Sequence, residues 1–508
     1  MKKYFIQTFG CAMNQADSEK INMIFLQSGF IKVPNWKQAD VVIFNTCSVR
    51  QKGEDRVFGL SEEIYKFNTL MNENNNSLQK NKILVGITGC MVRKTGINKQ
   101  YLEEDSSRDK NKSKKINLLT NKEGIFNYDD KLFPRLGDKL DFTLRIEETK
   151  YLPLMLTHIL GESIGNDSKF DDYLKSKQLR ENSSQANVII QTGCDNYCSF
   201  CIVPYTRGGE LSRTPDEILE ECREAVKNGA KEITLIGQNV NSYGKQFVDK
   251  KLWNEEKSRW KIAKPLSGIR TPSQEQRAKN STFTSPFREL LDNINSIEGL
   301  DRIRFTSSNP HDMTQDILDS HIELKNNCNY LHFALQSGSD NMLKRMNRKH
   351  SYSDFKKQVD YLRNKDPFFS ISTDIIVGYS GETEEMFQET VKAFKECDFD
   401  FCFTARYSVR KGTLADRMYP DDVDNEVKAR RWHILNDLLL KSVQKRNTLM
   451  LGREEEVLIS GEKDGQFYGR TRNFKEVFFI KNSVNKIGDI VKVKILSLDK
   501  FVLIGEQI

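Results

Sequence analysis

The sequence predicts an α/β chain in three parts: an N-terminal parallel-sheet α/β domain, a central partial (β/α)6 barrel and a small C-terminal β-barrel. Three observations point there. Within the first ninety residues an apolar, β-rich run ending in a cysteine occurs three times. Strand-like and helix-like segments then alternate six times between Asn187 and about Asp424. After Gly452 five short alternating runs crowd into the remaining segment. A length of 508 residues suits roughly three ordinary domains.

In the first part, Tyr4-Phe5-Ile6-Gln7-Thr8 leads to Gly10-Cys11. Val41-Val42-Ile43-Phe44-Asn45 leads to Thr46-Cys47, and Ile83-Leu84-Val85-Gly86-Ile87 to Gly89-Cys90. Between the first two, Ile21, Ile24 and Phe25 fall on one helical face, and Gln27-Ser28-Gly29 reads as its stop. Repeated strand–helix–strand units make a parallel sheet, so the cysteines share its carboxyl edge, where open α/β sheets bind ligands. A single such cysteine reads as a buried apolar side chain. Three at equivalent strand ends, two of them after glycine, read as ligands of one metal centre. This domain spans 1–160, with a polar, charged insertion at about 95–140.

In the central part, strands are expected at Val188–Gln191, Ile233–Gly237, Ile303–Thr306, Leu331–Leu335, Ser370–Val377 and Phe401–Tyr407. Thr214-Pro215-Asp216-Glu217 opens a helix that turns Ile218, Leu219, Cys222, Ala225 and Val226 inward. Six units are too many for a small sheet and too few for a closed eight-fold barrel. A partial barrel over 185–440 follows, open along one side and carrying a second polar insertion at about 245–285.

The last part, 445–508, carries twelve Lys and Arg against nine Asp and Glu from Lys445 onward. Tyr468, Arg470, Arg472, Phe474 and Lys475 cluster there. Basic groups interleaved with aromatics suit phosphate contact and base stacking, so this β-barrel is expected to bind RNA, with an ordinary capping β-domain as the alternative.

Composition narrows the class. Hydrophobic residues make up 38% and charged residues 29%, and no apolar run approaches the roughly 18 residues of a membrane span. The N-terminus reads as a strand rather than a signal peptide, so a cytoplasmic location is expected. Ten cysteines in a reducing compartment read as metal ligands or reactive groups rather than disulfides. The net charge of +7 permits a polyanionic partner. The six histidines form no ligand-spaced cluster, which argues against zinc, and Cys222, Cys328, Cys397 and Cys402 read as core.

The densest signal is Cys194-Asp195-Asn196-Tyr197-Cys198-Ser199-Phe200-Cys201. A short loop with three thiolates can hold an iron–sulfur cube and leave one iron without a protein ligand, open to a small molecule. This segment resembles the signature of the radical S-adenosylmethionine superfamily, down to the aromatic Phe200 before the third thiol. Across nearly its whole length the chain is similar to the tRNA methylthiotransferase family, most of all to the branch acting on N(6)-isopentenyladenosine. The likeness rests on Thr8-Phe9-Gly10-Cys11 through Asp17-Ser18-Glu19, Asn45-Thr46-Cys47-Ser48-Val49-Arg50, and Cys201-Ile202-Val203-Pro204-Tyr205-Thr206-Arg207-Gly208-Gly209-Glu210. Arg302 to Ser308, Leu335-Gln336-Ser337-Gly338-Ser339-Asp340, Gly378-Tyr379-Ser380-Gly381-Glu382-Thr383 and Gly469-Arg470-Thr471, which looks like a TRAM domain, extend it.

The resemblance implies two 4Fe–4S clusters, one on Cys194, Cys198 and Cys201 and an auxiliary one on Cys11, Cys47 and Cys90. It implies S-adenosylmethionine as both methyl donor and radical source. Phe200, on the adenine side, and Gln238, Ser307 and Gln336, at barrel strand ends, are expected as cofactor contacts, and the three polar residues read equally well as strand-terminal caps. The reaction would place a methylthio group on carbon 2 of the adenine at tRNA position 37. The partners would be the tRNA anticodon stem-loop, an electron donor such as flavodoxin or ferredoxin, and a sulfur donor, with no membrane. Two departures stand out: Asn309 where this branch usually shows His, and Tyr379-Ser380 in place of Phe-Pro. At this point methylthiolation of threonylcarbamoyl-adenosine or of a ribosomal-protein aspartate stays open, as does a non-enzymatic iron–sulfur RNA-binding or cluster-carrier protein.

Overall fold

A computed structural model describes residues 1–47, 51–73, 82–92, 136, 139–164, 173–174, 178–180, 184–247 and 284–508. Most of both expected insertions lies outside the described residues. The chain divides into two compact units, Met1–Glu181 with Cys201–Gly209, and Asn182–Phe200 with Glu210–Ile508.

The first unit carries a five-stranded parallel sheet in the order β2-β1-β3-β4-β5. Its strands are β1 (Lys3–Thr8), β2 (Ile31–Lys32), β3 (Val41–Thr46), β4 (Leu84–Gly89) and β5 (Phe142–Thr143). β3 and β4 are buried at every residue, as their unbroken apolar runs require of central parallel strands. Val42, Phe44, Val85 and Ile87 pack with Val57, Phe58 and Ile64 of α2 (Gln51–Glu73). The helix expected between the first two strands is α1 (Ala12–Gln27). It buries Ile21, Ile24 and Phe25, whose ring stacks on Tyr4 at 4.3 Å. Its first half buries Asn14, Asp17, Ser18, Glu19 and Lys20 as well. Burying so many polar groups is costly unless each is bonded, and points to a site.

The second unit holds six parallel strands in two triplets, β6-β9-β10 and β11-β12-β13. They are β6 (Gln185–Ile189), β9 (Glu232–Ile236), β10 (Arg302–Phe305), β11 (Tyr330–His332), β12 (Ser370–Val377) and β13 (Phe401–Arg406). Isolated bridges Ile303 to Asn327 and Ser308 to Phe333 connect the triplets. A short antiparallel pair, β7 (Gln191–Thr192) with β8 (Leu211–Ser212), closes the base of the cysteine loop. Alternation sorts the strands cleanly. Ala186, Ile233, Ile303, Leu331, Ile371 and Cys402 belong to the apolar core shared with α3 (Pro215–Lys227), α4 (Pro286–Asn295), α5 (Gln315–Glu323), α6 (Tyr352–Lys365), α7 (Glu384–Cys397) and α8 (Asn425–Thr448). The intervening residues, among them Arg302, Arg304, Tyr330, His332 and Asp374, form the inner face. α3 begins with Thr214 before Pro215, and the Thr214 amide donates to Glu217 Oε2 at 3.3 Å. Cys222, Cys328, Cys397 and Cys402 are all buried.

β6 begins three residues before the expected Val188, at Gln185. The apolar run marks only the part of the strand that faces the core, whereas the ladder to Glu232–Ile236 extends through polar Gln185 and Asn187.

The C-terminal segment closes into a barrel, β14-β15-β16-β18-β17. Its strands are β14 (Glu454–Lys463), β15 (Gln466–Thr471), β16 (Glu476–Ile480), β17 (Ile490–Asp499) and β18 (Val502–Gln507). Val457, Phe467, Val477, Phe479, Val493 and Leu503 fill it.

The expected outward-facing, RNA-binding role of the Tyr468–Lys475 cluster does not hold for most of its members. Most of the basic and aromatic cluster binds the parallel strands instead of facing outward. Arg302 donates to the carbonyls of Arg470 (2.7 Å) and Glu456 (2.8 Å). Arg304 donates to those of Arg472 and Thr471, both at 2.8 Å. The Phe474 ring stacks on Tyr330 at 4.3 Å, Arg472 reaches the Lys325 carbonyl at 2.6 Å, and Lys475 bonds Asp400 at 2.7 Å. Basic spacing alone does not separate surface cations from buried ones, because the partners lie far away in sequence. Among the described residues no helix is long and apolar enough to cross a membrane.

Candidate metal centres

In the first unit, Cys11, Cys47 and Cys90 follow β1, β3 and β4 at one edge of the sheet, as the strand pattern requires. Side-chain amides lock the edge. Asn14 Nδ2 donates to Asn45 Oδ1 and to the Thr46 carbonyl, both at 3.0 Å, and Asn45 Nδ2 returns a bond to the Asn14 carbonyl at 2.7 Å. The Cys90 amide donates to the Thr46 carbonyl at 2.8 Å, while Thr46 Oγ1 donates to the Thr88 carbonyl at 2.6 Å. Gly89 sits at φ +91°, and a Cβ there would lie 2.3 Å from the Thr46 oxygen. Only glycine brings the two cysteine-bearing turns this close.

A buried cation faces these thiols. Arg207 Nη2 donates to Asp17 Oδ2 at 2.6 Å, and its Nε approaches Cys90 Sγ at 3.4 Å. Tyr173 donates from its hydroxyl to Asp17 Oδ1. A hydrogen bond from Cys47 lowers the Cys11 thiol to about 6 against the opposing effect of burial, with help from Asn14 and Arg207. Burial pushes the Cys90 thiol up, and Arg207 pulls against it. Arg207 Nη1 is buried without a hydrogen-bond partner among the described residues.

In the second unit the loop after β7 presents Cys194, buried, and Cys198, half-buried. Tyr197 takes φ +47°, a left-handed conformation that tightens the loop between the two thiols. Asn347 Nδ2 donates to the Tyr197 carbonyl at 2.8 Å, Arg348 Nη1 lies 3.4 Å from Cys198 Sγ, and Asn196 Nδ2 lies 3.6 Å from Cys194 Sγ. Burial pushes the Cys194 thiol up to about 12. Cys201, half-buried, opens the stretch that belongs to the first unit.

The other expected site residues stand along the carboxyl ends of the strands. Gln238, past β9, accepts from the Gly193 amide at 2.7 Å. Ser307 and Gln336 both hold positive φ, +62° and +75°. Non-glycine residues bear that conformation where surrounding structure enforces it, commonly at ligand sites. Phe200 packs edge-on to Tyr379 with centroids 6.5 Å apart. The departure at Tyr379 has a use: its hydroxyl bonds Ser199 Oγ at 2.7 Å, bracing the cysteine loop. The departure at Asn309 caps the following turn through the His311 amide at 3.3 Å.

Asp17, Arg207, Asn45 and Arg348 escaped the sequence reading as individual residues, although all but Arg348 lie inside motif segments. Their partners are distant in the chain, and residue type alone gives them no role. Among the described residues no three His, Cys, Asp or Glu side chains crowd around the position of a single ion. An iron–sulfur cube spreads its thiolates wider than one ion does.

The chain matches the family described as Uncharacterized protein family UPF0004 over residues 3–109, the Radical SAM superfamily over 188–394 and the TRAM domain over 448–508. A tRNA-2-methylthio-N(6)-dimethylallyladenosine synthase from Clostridium botulinum strain Hall is 35% identical over 509 residues, spanning 100% of this chain and 97% of its own. The synthase of the same name from Protochlamydia amoebophila is 35% identical over 515 residues, spanning 100% and 96%. A solved radical S-adenosylmethionine methyltransferase from Kitasatospora setae aligns over 80% of this chain and 73% of that one, at 12% identity and a TM-score of 0.45.

Proposed function

The chain belongs to the tRNA-2-methylthio-N(6)-dimethylallyladenosine synthase family, and on that premise we propose how its residues share the work. It is a radical S-adenosylmethionine methylthiotransferase acting on tRNA, with S-adenosylmethionine and two 4Fe–4S clusters as cofactors. The reading assigns the radical cluster to Cys194, Cys198 and Cys201, and the auxiliary cluster to Cys11, Cys47 and Cys90.

The donors suit those groups. All six are thiols, the ligands iron–sulfur clusters prefer. Gly89 leaves room at the auxiliary edge, where the buried Arg207 guanidinium offsets thiolate charge. When bound, the radical cluster and S-adenosylmethionine supply one-electron chemistry that removes hydrogen from an unactivated C–H bond, which offers acid and base groups no handle. The remaining work is placement. Gln238, braced on the Gly193 amide, and the constrained Ser307 and Gln336 position the methionyl and ribosyl parts of the cofactor. Phe200 packs on its adenine side.

The target is carbon 2 of N(6)-isopentenyladenosine at position 37, presented by the anticodon stem-loop. The C-terminal barrel supplies RNA contacts from surfaces other than its Thr471–Lys475 turn. A flavodoxin or ferredoxin supplies electrons, a separate donor restores sulfur, and the reaction takes place in the cytoplasm, where tRNA is processed. The observation that carries the reading is the meeting of Cys11, Cys47 and Cys90 at one sheet edge beside Arg207, in a chain that also bears the Cys194–Cys201 loop.

Mass spectrometry of tRNA nucleosides from cells lacking this protein tests it. The prediction is loss of methylthio-isopentenyladenosine with accumulation of isopentenyladenosine. An unchanged profile, or loss of a methylthio-threonylcarbamoyl nucleoside instead, overturns it.

A further inference from the structure

The inner face of the second strand triplet carries a group that none of the assigned roles uses. Register places Ser372 beside His332 and Phe401, and Asp374 beside Phe403. Residues opposite one another in parallel register share a face, so His332, Ser372, Asp374, Phe401 and Phe403 all point into the partial barrel. Their neighbours Leu331, Ile371, Ile375 and Cys402 point into the helix-packed core. Both aromatics keep ring surface open to solvent: Phe401 is 40% exposed and Phe403 39%. Their rings meet edge to face at 4.7 Å, and the His332 ring lies 6.1 Å from Phe403.

Beside this apolar wall stands one held carboxylate. His332 bridges Ser372 Oγ at 2.9 Å and Asp374 Oδ2 at 3.0 Å. Asp374 is thereby fixed through Oδ2, and among the described residues nothing bonds Oδ1, which can take a donor from a ligand. The depth is informative too. Gln336 bridges Ile375, so the Asp374–Phe403 level lies one residue, about 3.3 Å of strand rise, below the proposed cofactor rim.

We propose that Phe401 and Phe403 form the receptor for the N6 substituent of the target adenine, with Asp374 accepting the N6–H and His332 holding Asp374 in place. The proposal rests on the methylthiotransferase reading and names the residues that would set its substrate preference. A base with carbon 2 at the rim projects its N6 group to a neighbouring position, and an isopentenyl chain finds aromatic surface there. Removing that chain from water onto the two rings favours the prenylated base. The Asp374 carboxylate disfavours a threonylcarbamoyl group, which bears a carboxylate of its own. The aromatic pair therefore attracts the correct substituent while the carboxylate beside it repels the competitor.

The test uses the full chain with both clusters loaded and three versions of one anticodon stem-loop RNA. These carry isopentenyladenine, plain adenine or threonylcarbamoyl-adenine at the target position. Wild type is expected to bind the prenylated RNA at least about tenfold more tightly than the plain one, the scale of a few apolar contacts. In Phe401→Ala/Phe403→Ala, and separately in Phe403→Asn, that ratio falls toward one, while Phe403→Leu keeps most of it. Asp374→Asn narrows the gap to the threonylcarbamoyl RNA. Phe401→Ala/Phe403→Ala and Phe403→Asn proteins that melt like wild type yet keep its ratio overturn the receptor. Methylthio product formed by wild type in the same samples reports on the underlying function. Product with an unaltered ratio in the variants sinks the receptor alone, and absence of product sinks the function reading.

Discussion

Arg207 carries a full positive charge where almost no water reaches it. Its side chain is 2% exposed and its partner Asp17 is 0% exposed, so each is the other's main compensation in a medium that penalises lone charges. Arg207→Gln leaves the Asp17 carboxylate buried with the Tyr173 hydroxyl as its remaining hydrogen-bond partner among the described residues. The predicted loss of stability is about 3–5 kcal/mol, read by denaturant unfolding of the cluster-free protein. Asp17→Asn combined with Arg207→Gln, which removes both charges, costs less than the two single changes summed. A single variant within about 1 kcal/mol of wild type would show that the pair does not hold the site. The placement of the six cysteines, three at strand ends and three in one short loop, was legible in the sequence because local pattern alone sets it. Arg207 and Asp17 were not legible as a pair, since 190 positions separate them and nothing in local spacing joins an arginine to an aspartate at that range.

The turn from Thr471 to Lys475, between β15 and β16, shows how one element can be recognised and its task misread. The strands were legible from alternation, and so was the concentration of Arg, Lys and Phe. What alternation cannot reveal is that Asp400 waits for Lys475, with Arg363 and Arg446 also bonded to it. Burial pushes the Asp400 carboxyl up, but Lys475, then Arg446 and Arg363, outweigh it and hold it at about 2, below the usual aspartate range near 3.9. A depressed folded-state value means stability present above about pH 4 and lost as pH falls toward 2. Asp400→Asn leaves the buried Arg446 and Lys475 and the half-buried Arg363 without their shared carboxylate and is predicted to cost about 3–5 kcal/mol at neutral pH. Lys475→Met, which leaves Asp400 with two arginines, costs less. Thermal melts at pH 7 and stepwise below pH 4 check both points: the gap between wild type and Asp400→Asn narrows as Asp400 protonates. A gap that stays constant with pH would contradict the assignment.

Across the whole molecule, the parallel sheet, the six inner strands and the closing β-barrel each follow from hydrophobic period, which is why the architecture was legible. The two-unit division was less so. The stretch Cys201–Gly209 joins the first unit, and the contacts that draw it there, Arg207 with Asp17 and with Cys90, are polar and long-range. At this scale the proposed function needs two thiolate sites in one chain, one at the sheet edge and one in the loop after β7. Iron and acid-labile sulfide per chain, measured on anaerobically purified protein and on Cys194→Ala, test that most directly. About eight irons are expected in the wild type, two cubes of four, and about four in the variant. About four irons in both proteins would leave a single cluster to explain six cysteines and would contradict it.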